Sequence, residues 1–162
     1  MVITNLSVRD SVPSDAKPLL RLMRSLAQFE GYIDDFRVQE CDVRTHGFGP
    51  DPKFKAFVMP SHEQGDLLGM AVTYIIPWTY DLQPVLILKE LFVEEAARGY
   101  GVGRALMDRV IVHASDIEAS KIQWTVLASN HPAKRFYRTY HAKPDAVWES
   151  WQLSHSDFPS GA

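Results

Sequence analysis

Apolar positions change period several times along this chain. Leu19, Leu20, Leu22, Met23, Leu26 and Phe29 recur at helical spacing. Ser14 is placed to cap that helix, Asp15 lies in its first turn, where a negative charge suits the dipole, and Gly31 is placed to end it. Leu6 to Arg9 before it reads as a short strand, and Gln39 to Thr45 after it as a second short helix. Gly47 to Pro52 is a turn-rich loop, and Pro60 to Asp66 and Pro77 to Pro84 are turns. Between them, Phe54–Met59, Leu67–Ile76 and Val85–Val93 are dense in apolar and β-branched residues and read as strands. Helical spacing returns from about Gly101 to Glu118, with Leu106, Val110, Ile111 and Ala114 on one face. Ile122–Leu127 reads as a strand, Pro132–Tyr140 as a helix and Val147–Leu153, with Trp148 and Trp151, as a last strand. Residues after Asp157 read as a loose tail.

Composition adds boundaries. A chain of 162 residues is long enough for one domain with a real core. Its net charge of −3 gives no global pull toward nucleic acid or an anionic membrane. No apolar run reaches the length of a membrane span, and the first residues lack the pattern of a signal peptide. Cys41 is the sole cysteine, which excludes an internal disulfide and fits a reducing compartment; a cytoplasmic location is expected. A lone cysteine is more often a packing or surface residue than a nucleophile. The histidines show no HxxxH or HExxH spacing, so no metal site is expected.

The chemistry concentrates after the strand that ends in Leu91-Phe92-Val93. A polar turn follows, then Arg98-Gly99-Tyr100-Gly101-Val102-Gly103-Arg104, then a helix. Strand, glycine-rich turn and helix form an anion cradle, because glycines let backbone N–H groups approach a phosphate and the helix start adds positive potential. Arg104-Ala105 stands where a Walker loop needs Lys-Ser/Thr, and the third glycine of a dinucleotide fingerprint is Arg104. The pattern that fits is Arg-x-x-Gly-x-Gly. About thirty residues on comes Asn130-x-x-Ala133-x-x-Phe136-Tyr137.

Together these two segments resemble the acetyl-CoA-binding motifs of the GCN5-related N-acetyltransferase (GNAT) superfamily. The element order βα(α)βββαβαβ is similar to that family's layout. The resemblance implies an α/β fold with a twisted, mostly antiparallel mixed sheet, splayed at the cofactor strand, with helices on both faces. It implies a single acetyltransferase domain over residues 1–157, followed by a tail at 158–162. It also implies that acetyl-CoA lies along the backbone of Leu91, Phe92 and Val93, with its pyrophosphate on Gly99, Tyr100, Gly101, Val102 and Gly103. Arg98 and Arg104 are each either charge-assisted phosphate contacts or solvated helix-start residues. Asn130 would meet the pantetheine arm, Ala133 and Phe136 would face the cofactor, and Tyr137 would protonate the leaving thiolate. The expected activity is acetyl transfer to a primary amine of a small molecule by direct attack.

Within the superfamily, Leu20–Met23, Leu26–Glu30, Asp42 and Gly47-Phe48-Gly49 resemble the spermidine/spermine (diamine) N-acetyltransferases. That resemblance implies a homodimer and makes Glu30 an acceptor-site acid, against its plain reading as a solvated acid at a helix end. It also exposes departures. The subfamily's cofactor strand carries Leu-Glu-Asp before its Phe/Leu-Phe-Val, whereas this chain reads Leu88-Lys89-Glu90. Lys89 therefore stands where a carboxylate meets a cationic amine. Strand alternation puts Lys89 on the face of Leu91 and Val93 and sends Glu90 the other way, so Glu90 is not expected to replace that carboxylate. Ala146 stands where the polyamine enzymes carry an acid, and His141 where a glycine often ends the Tyr-bearing helix. Exchanging a carboxylate for a cation in a cleft disfavours a polycation. The expected acceptor is thus an amino acid-like or small amino compound, whose carboxylate Lys89 would bind. Three alternatives remain: a polyamine acetyltransferase, a non-catalytic acyl-CoA-binding regulatory module, and a protein N-acetyltransferase with an open groove around Trp78, Tyr80 and Trp148.

Overall fold

The computed structural model describes residues 7–61, 65–77 and 81–158. The expectations for Leu6, Trp78 and Tyr80, and for the tail beyond Phe158, lie outside the described residues. The chain divides into two compact units, Met1–Thr125 and Val126–Ala162, taken here in turn.

The first unit is a mixed sheet with helices on both faces. In chain order it contains β1 (Arg9–Asp10), α1 (Ala16–Glu30), α2 (Glu40–Phe48), β2 (Lys55–Pro60), β3 (Leu67–Ile76), β4 (Val85–Val93), α3 (Val102–Asp116) and β5 (Lys121–Gln123). Its five strands lie in chain order, β1-β2-β3-β4-β5, with every neighbouring pair antiparallel except the parallel pair β4–β5. The apolar runs placed β3 and β4 at their observed ends, because tight turns bound both.

Cross-strand partners share a face, so the register sorts the core. Ala56, Val58, Met70, Val72 and Phe92 pack on one side with Leu19, Leu22, Met23 and Leu26 of α1 and Val43 of α2. Gly69 lies on the other side, where a side chain would meet Val102 and Leu106 of α3 at 3.2 and 3.0 Å. Glycine at that position lets α3 lie close to the sheet. Leu91 and Val93 share this α3 face, opposite Ala71 and Gly69. Arg109 of α3 stacks 4.5 Å over the Phe57 ring and bonds Asp10 at 2.6 Å.

Several local expectations change. The helix start is not capped by Ser14: Pro13–Asp15 forms a 3-10 turn, and Asp15 accepts bonds from Arg9 (2.6 and 2.9 Å) and the Val12 amide (2.8 Å). Helix α2 runs on to Phe48, and Gly47 within it packs flush against the Phe54 ring. Strand β5 is half the expected length and stops at Gln123. Gly31 ends α1 in the left-handed conformation, as expected.

The second unit contains α4 (His131–Arg138) and a 3-10 turn at His155–Asp157. Val147–Leu153 does not form the expected strand. A strand requires a neighbour to complete its ladder, and this segment has none among the described residues; Val147, Trp148, Trp151 and Leu153 are all exposed. Among the described residues no helix is long and apolar enough to cross a membrane.

Candidate functional site

Strand β4 has two unlike halves. Val85, Leu86 and Ile87 pair with Lys121, Ile122 and Gln123 of β5 on one edge and with β3 on the other. From Leu88 to Val93 only the β3 edge is paired among the described residues. The Glu94 amide donates to the Leu68 carbonyl at 2.9 Å. Antiparallel alternation then directs the Phe92 amide toward β3 as well, and turns the amides and carbonyls of Leu91 and Val93 to the outer edge. An extended ligand rich in amides can pair with such an edge as a further strand would.

Beyond that edge the chain enters the glycine turn. Gly99 and Gly101 both adopt left-handed φ, at 82° and 88°. This is the conformation that favours glycine, and it explains why the residue recurs here. Gly101 is also the N-cap of α3, and no side chain caps that helix start. The first amides of α3 thus have no capping side chain at the N-cap, which suits a helix start that receives an anion.

Arg98 is committed to holding this turn. Its Nε donates to the outward Val93 carbonyl at 3.0 Å, and its guanidinium lies 5.2 Å from the Phe29 ring and 5.8 Å from the Phe92 ring. It therefore ties the last turn of α1 to the end of β4. Arg21 of α1 reinforces the same corner, bonding Asp66 and the Leu67 carbonyl, each at 2.8 Å, and pairing with Glu94.

The most consequential difference from the sequence reading lies at Lys89. Val72 faces Glu90 while Thr73 faces Leu88, so Lys89 is an extra residue, a β-bulge without a partner on β3. Strict alternation fails at this point. Leu88 shares the α3 face with Thr73, whereas Glu90 shares the α1 face with Val72 and Phe92. Lys89 is exposed. Glu90 does point away from Leu91 and Val93, but it lies on the face of α1, the helix that ends in Glu30. Its Oε2 is buried and accepts no hydrogen bond among the described residues.

Electrostatics tie this corner together. Burial pushes the Glu90 carboxyl above the usual carboxylate range; the Lys89 charge opposes that rise and the Glu30 charge adds to it. Burial also raises the Tyr32 phenol, and Glu90 and Glu30 raise it further. Lys89 and Glu30 thus act on Glu90, and Glu30 and Glu90 act on Tyr32. The sequence reading named Glu30 and Lys89, dismissed Glu90 and missed Tyr32. The available signal was two adjacent charges, Lys89-Glu90, inside an otherwise apolar strand that helices cover on both faces.

In the second unit Asn130 caps α4, its side-chain oxygen accepting from the Ala133 amide at 3.1 Å. Helix α4 carries Ala133, Phe136 and Tyr137, each half-buried. The Phe136 ring stands edge-on to Tyr140, with centroids 5.5 Å apart. The helix is followed by His141 at φ 58°, so a histidine adopts the left-handed conformation expected where a glycine often stands. Among the described residues no group of three or more His, Cys, Asp or Glu is arranged to hold a metal ion.

The comparisons agree with this geometry. Over 150 residues the chain is 29% identical to a thialysine N-epsilon-acetyltransferase of Sus scrofa, covering 89% of this chain and 88% of that one. It is 27% identical to a human spermidine/spermine N(1)-acetyltransferase-like protein 1, over 90% of this chain and 22% of that longer protein. An integron cassette protein from the mobile metagenome of V. cholerae shares the fold, with a TM-score of 0.78 at 21% identity over 95% of both chains. The model of the acetyltransferase (GNAT) family matches residues 20–141. The chain belongs to this acetyltransferase (GNAT) family and is an acyltransferase enzyme.

Proposed function

We propose that the enzyme transfers an acetyl group from acetyl-CoA to a primary amine of a small molecule, by direct attack of the amine on the thioester. The observation that carries this reading is the open half of β4 running into a turn with two left-handed glycines at an uncapped helix start. In this reading the outward backbone of Leu91 and Val93 receives the pantetheine amides beside Phe92. The amides of Gly99, Tyr100, Gly101, Val102, Gly103 and Arg104 receive the pyrophosphate, with the Arg104 side chain adding charge. Arg98 shapes the turn through its Nε and its ring face, and its terminal guanidinium nitrogens add charge for the pyrophosphate. By family resemblance, Asn130, Ala133 and Phe136 are cofactor-binding residues as well.

The chemistry sets two further needs. Negative charge on the thioester oxygen is stabilised by a backbone N–H, and the outward Val93 amide has the right character for that. The departing thiolate takes a proton, and Tyr137 supplies it. The acceptor is amino acid-like. Lys89, exposed on the bulge, suits a substrate carboxylate, and the thialysine enzyme among the relatives acts on an amino acid-type amine. A polyamine acceptor is the second reading, favoured by the acidic pair Glu30 and Glu90 and by the spermidine/spermine-like relative. The family resemblance further supports one catalytic domain and a homodimer.

Acetyl-CoA turnover across amino acids with side-chain amines, polyamines and aminoglycosides tests the proposal. The expected result is acetylation of amino acid-type amines above polyamines, with Tyr137→Phe lowering kcat roughly 100-fold or more while acetyl-CoA affinity is kept. Strong spermidine or spermine acetylation without activity on amino acid-type amines rejects the acceptor assignment. Acetyl-CoA binding without turnover on any amine favours a regulatory module instead.

A further inference from the structure

From Leu88 to Val93, β4 is paired only with β3 among the described residues, and that ladder runs out at Gly69 and Val93. Such strand ends open at a free energy well below that of global unfolding. The last backbone tie is the Glu94 amide to the Leu68 carbonyl, at 2.9 Å. We infer that Arg21 of α1 is a positioning residue for the acyl donor. Through Glu94 and Asp66 it holds the end of β4 in the extended form that the donor's amides pair with. The inference rests on the donor site proposed above and adds to it a residue that touches neither substrate nor cofactor.

Three observations single out Arg21. The first is its reach. Leu19, Leu22, Met23 and Leu26 of α1 pack in the core, whereas the Arg21 guanidinium extends to the ends of β3 and β4. Its Nη2 donates to Asp66 Oδ1 and to the Leu67 carbonyl, each at 2.8 Å, and its Nη1 pairs with Glu94. Asp66 directly precedes β3 and Glu94 directly follows β4, so one cation joins both sides of the last rung. Asp66 also accepts from the Leu67 amide at 2.9 Å, which fixes the carboxylate that Arg21 meets.

The second observation is the place of Glu94. Its amide ends the ladder, and its carbonyl accepts from the Ala97 amide at 2.9 Å, opening the 3-10 turn Glu95–Ala97 that leads to Arg98 and the glycines. A hold on Glu94 therefore reaches Val93 on one side and the phosphate turn on the other. Arg98 grips the Val93 carbonyl from the outer edge, while Arg21 grips the next residue from α1. The third is how lightly the corner is otherwise built. Gly69, opposite Val93, offers no side chain for a cross-strand contact. Without Arg21, the Asp66 and Glu94 carboxylates would stand near one another with no guanidinium between them.

Positioning and folding respond differently to this clamp. The side chains of Arg21, Asp66 and Glu94 are 43%, 47% and 27% exposed, so each pair adds little to global stability. Local opening of the strand end responds more, because donor affinity falls with the fraction of molecules whose edge is competent.

Arg21→Gln, Glu94→Gln and the double variant test this by calorimetric titration with acetyl-CoA. Each single variant should bind roughly tenfold more weakly, and the double variant no more weakly still, because both changes remove one link. The melting temperature without ligand should move only slightly, which a merely structural role would not allow. Hydrogen exchange should quicken at the Glu94 amide and stay unchanged at Leu86, which is paired on both edges. With the best amine of the panel above, saturating acetyl-CoA should bring kcat close to wild type, so that the loss lies in KM. An Arg21 that met the phosphates itself would give the opposite sign at its partner: Glu94→Gln would leave acetyl-CoA affinity unchanged or raise it. That outcome overturns the inference, as do losses that multiply in the double variant or wild-type affinity in Arg21→Gln. Each of these leaves the transferase reading intact. Wild-type protein that does not bind acetyl-CoA overturns both.

Discussion

Val85–Ile87 and Leu88–Val93 are one continuous strand, but among the described residues only the first stretch is paired on both edges. Val85 and Leu86 are buried at 3% and 0% exposure and serve the core alone. Among the described residues the second stretch has an outer edge that no strand pairs, a bulge and a buried carboxyl oxygen without a hydrogen bond, and it leads into a glycine turn. Chemistry enters where the sheet stops satisfying its own backbone. Oxygens and amides left over by the fold are the ones available to a ligand.

The largest effect that would sharpen this contrast is expected in the paired half. Leu86→Ala should cost about 2–5 kcal/mol of stability, as for other fully buried leucines, while KM for acetyl-CoA stays near wild type. Chemical denaturation and steady-state kinetics on the same preparation check both parts. A rise in KM as large as the loss of stability would show that the two halves are not separable.

In the open half the effects should fall on substrate choice. Lys89 is exposed, so its charge acts through partly screened contacts worth about 1 kcal/mol or less each. Lys89→Glu reverses that charge and should shift relative kcat/KM toward polyamines by roughly tenfold, with little change in melting temperature. Competition between a polyamine and an amino acid-type amine for limiting acetyl-CoA measures the shift. No change in the ratio would remove Lys89 from the acceptor site.

How much of this was legible in the sequence follows the same division. The extents of β3 and β4 could be read because an apolar run bounded by turns has few other ways to fold. The glycine turn could be read because alternating glycines at a helix start have few uses, and Gly99 and Gly101 do adopt the conformation that favours them. The bulge was not read, because alternation was assumed through Lys89-Glu90. One extra residue put Leu88 and Glu90 on opposite faces, while Glu90 still points away from Leu91 and Val93 as alternation predicts. The motif position of Arg98 shows its charge but not the aromatic rings it stacks on. The strand at Val147–Leu153 was expected from its apolar content, but a strand also depends on an edge to join, which no local pattern reveals. His141 takes the left-handed conformation at φ 58°, where the sequence marks only the absence of the glycine that often ends such a helix.

The central claim, that the open edge of β4 is the backbone site for the acyl donor, has a direct measurement. Amide hydrogen exchange along β4, followed residue by residue with and without acetyl-CoA, separates the two halves. The account predicts marked slowing at Leu91 and Val93 when acetyl-CoA is bound, and no change at Leu86 and Ile87, whose edges are already paired. Saturated acetyl-CoA binding with unchanged exchange at Leu91 and Val93 would contradict it.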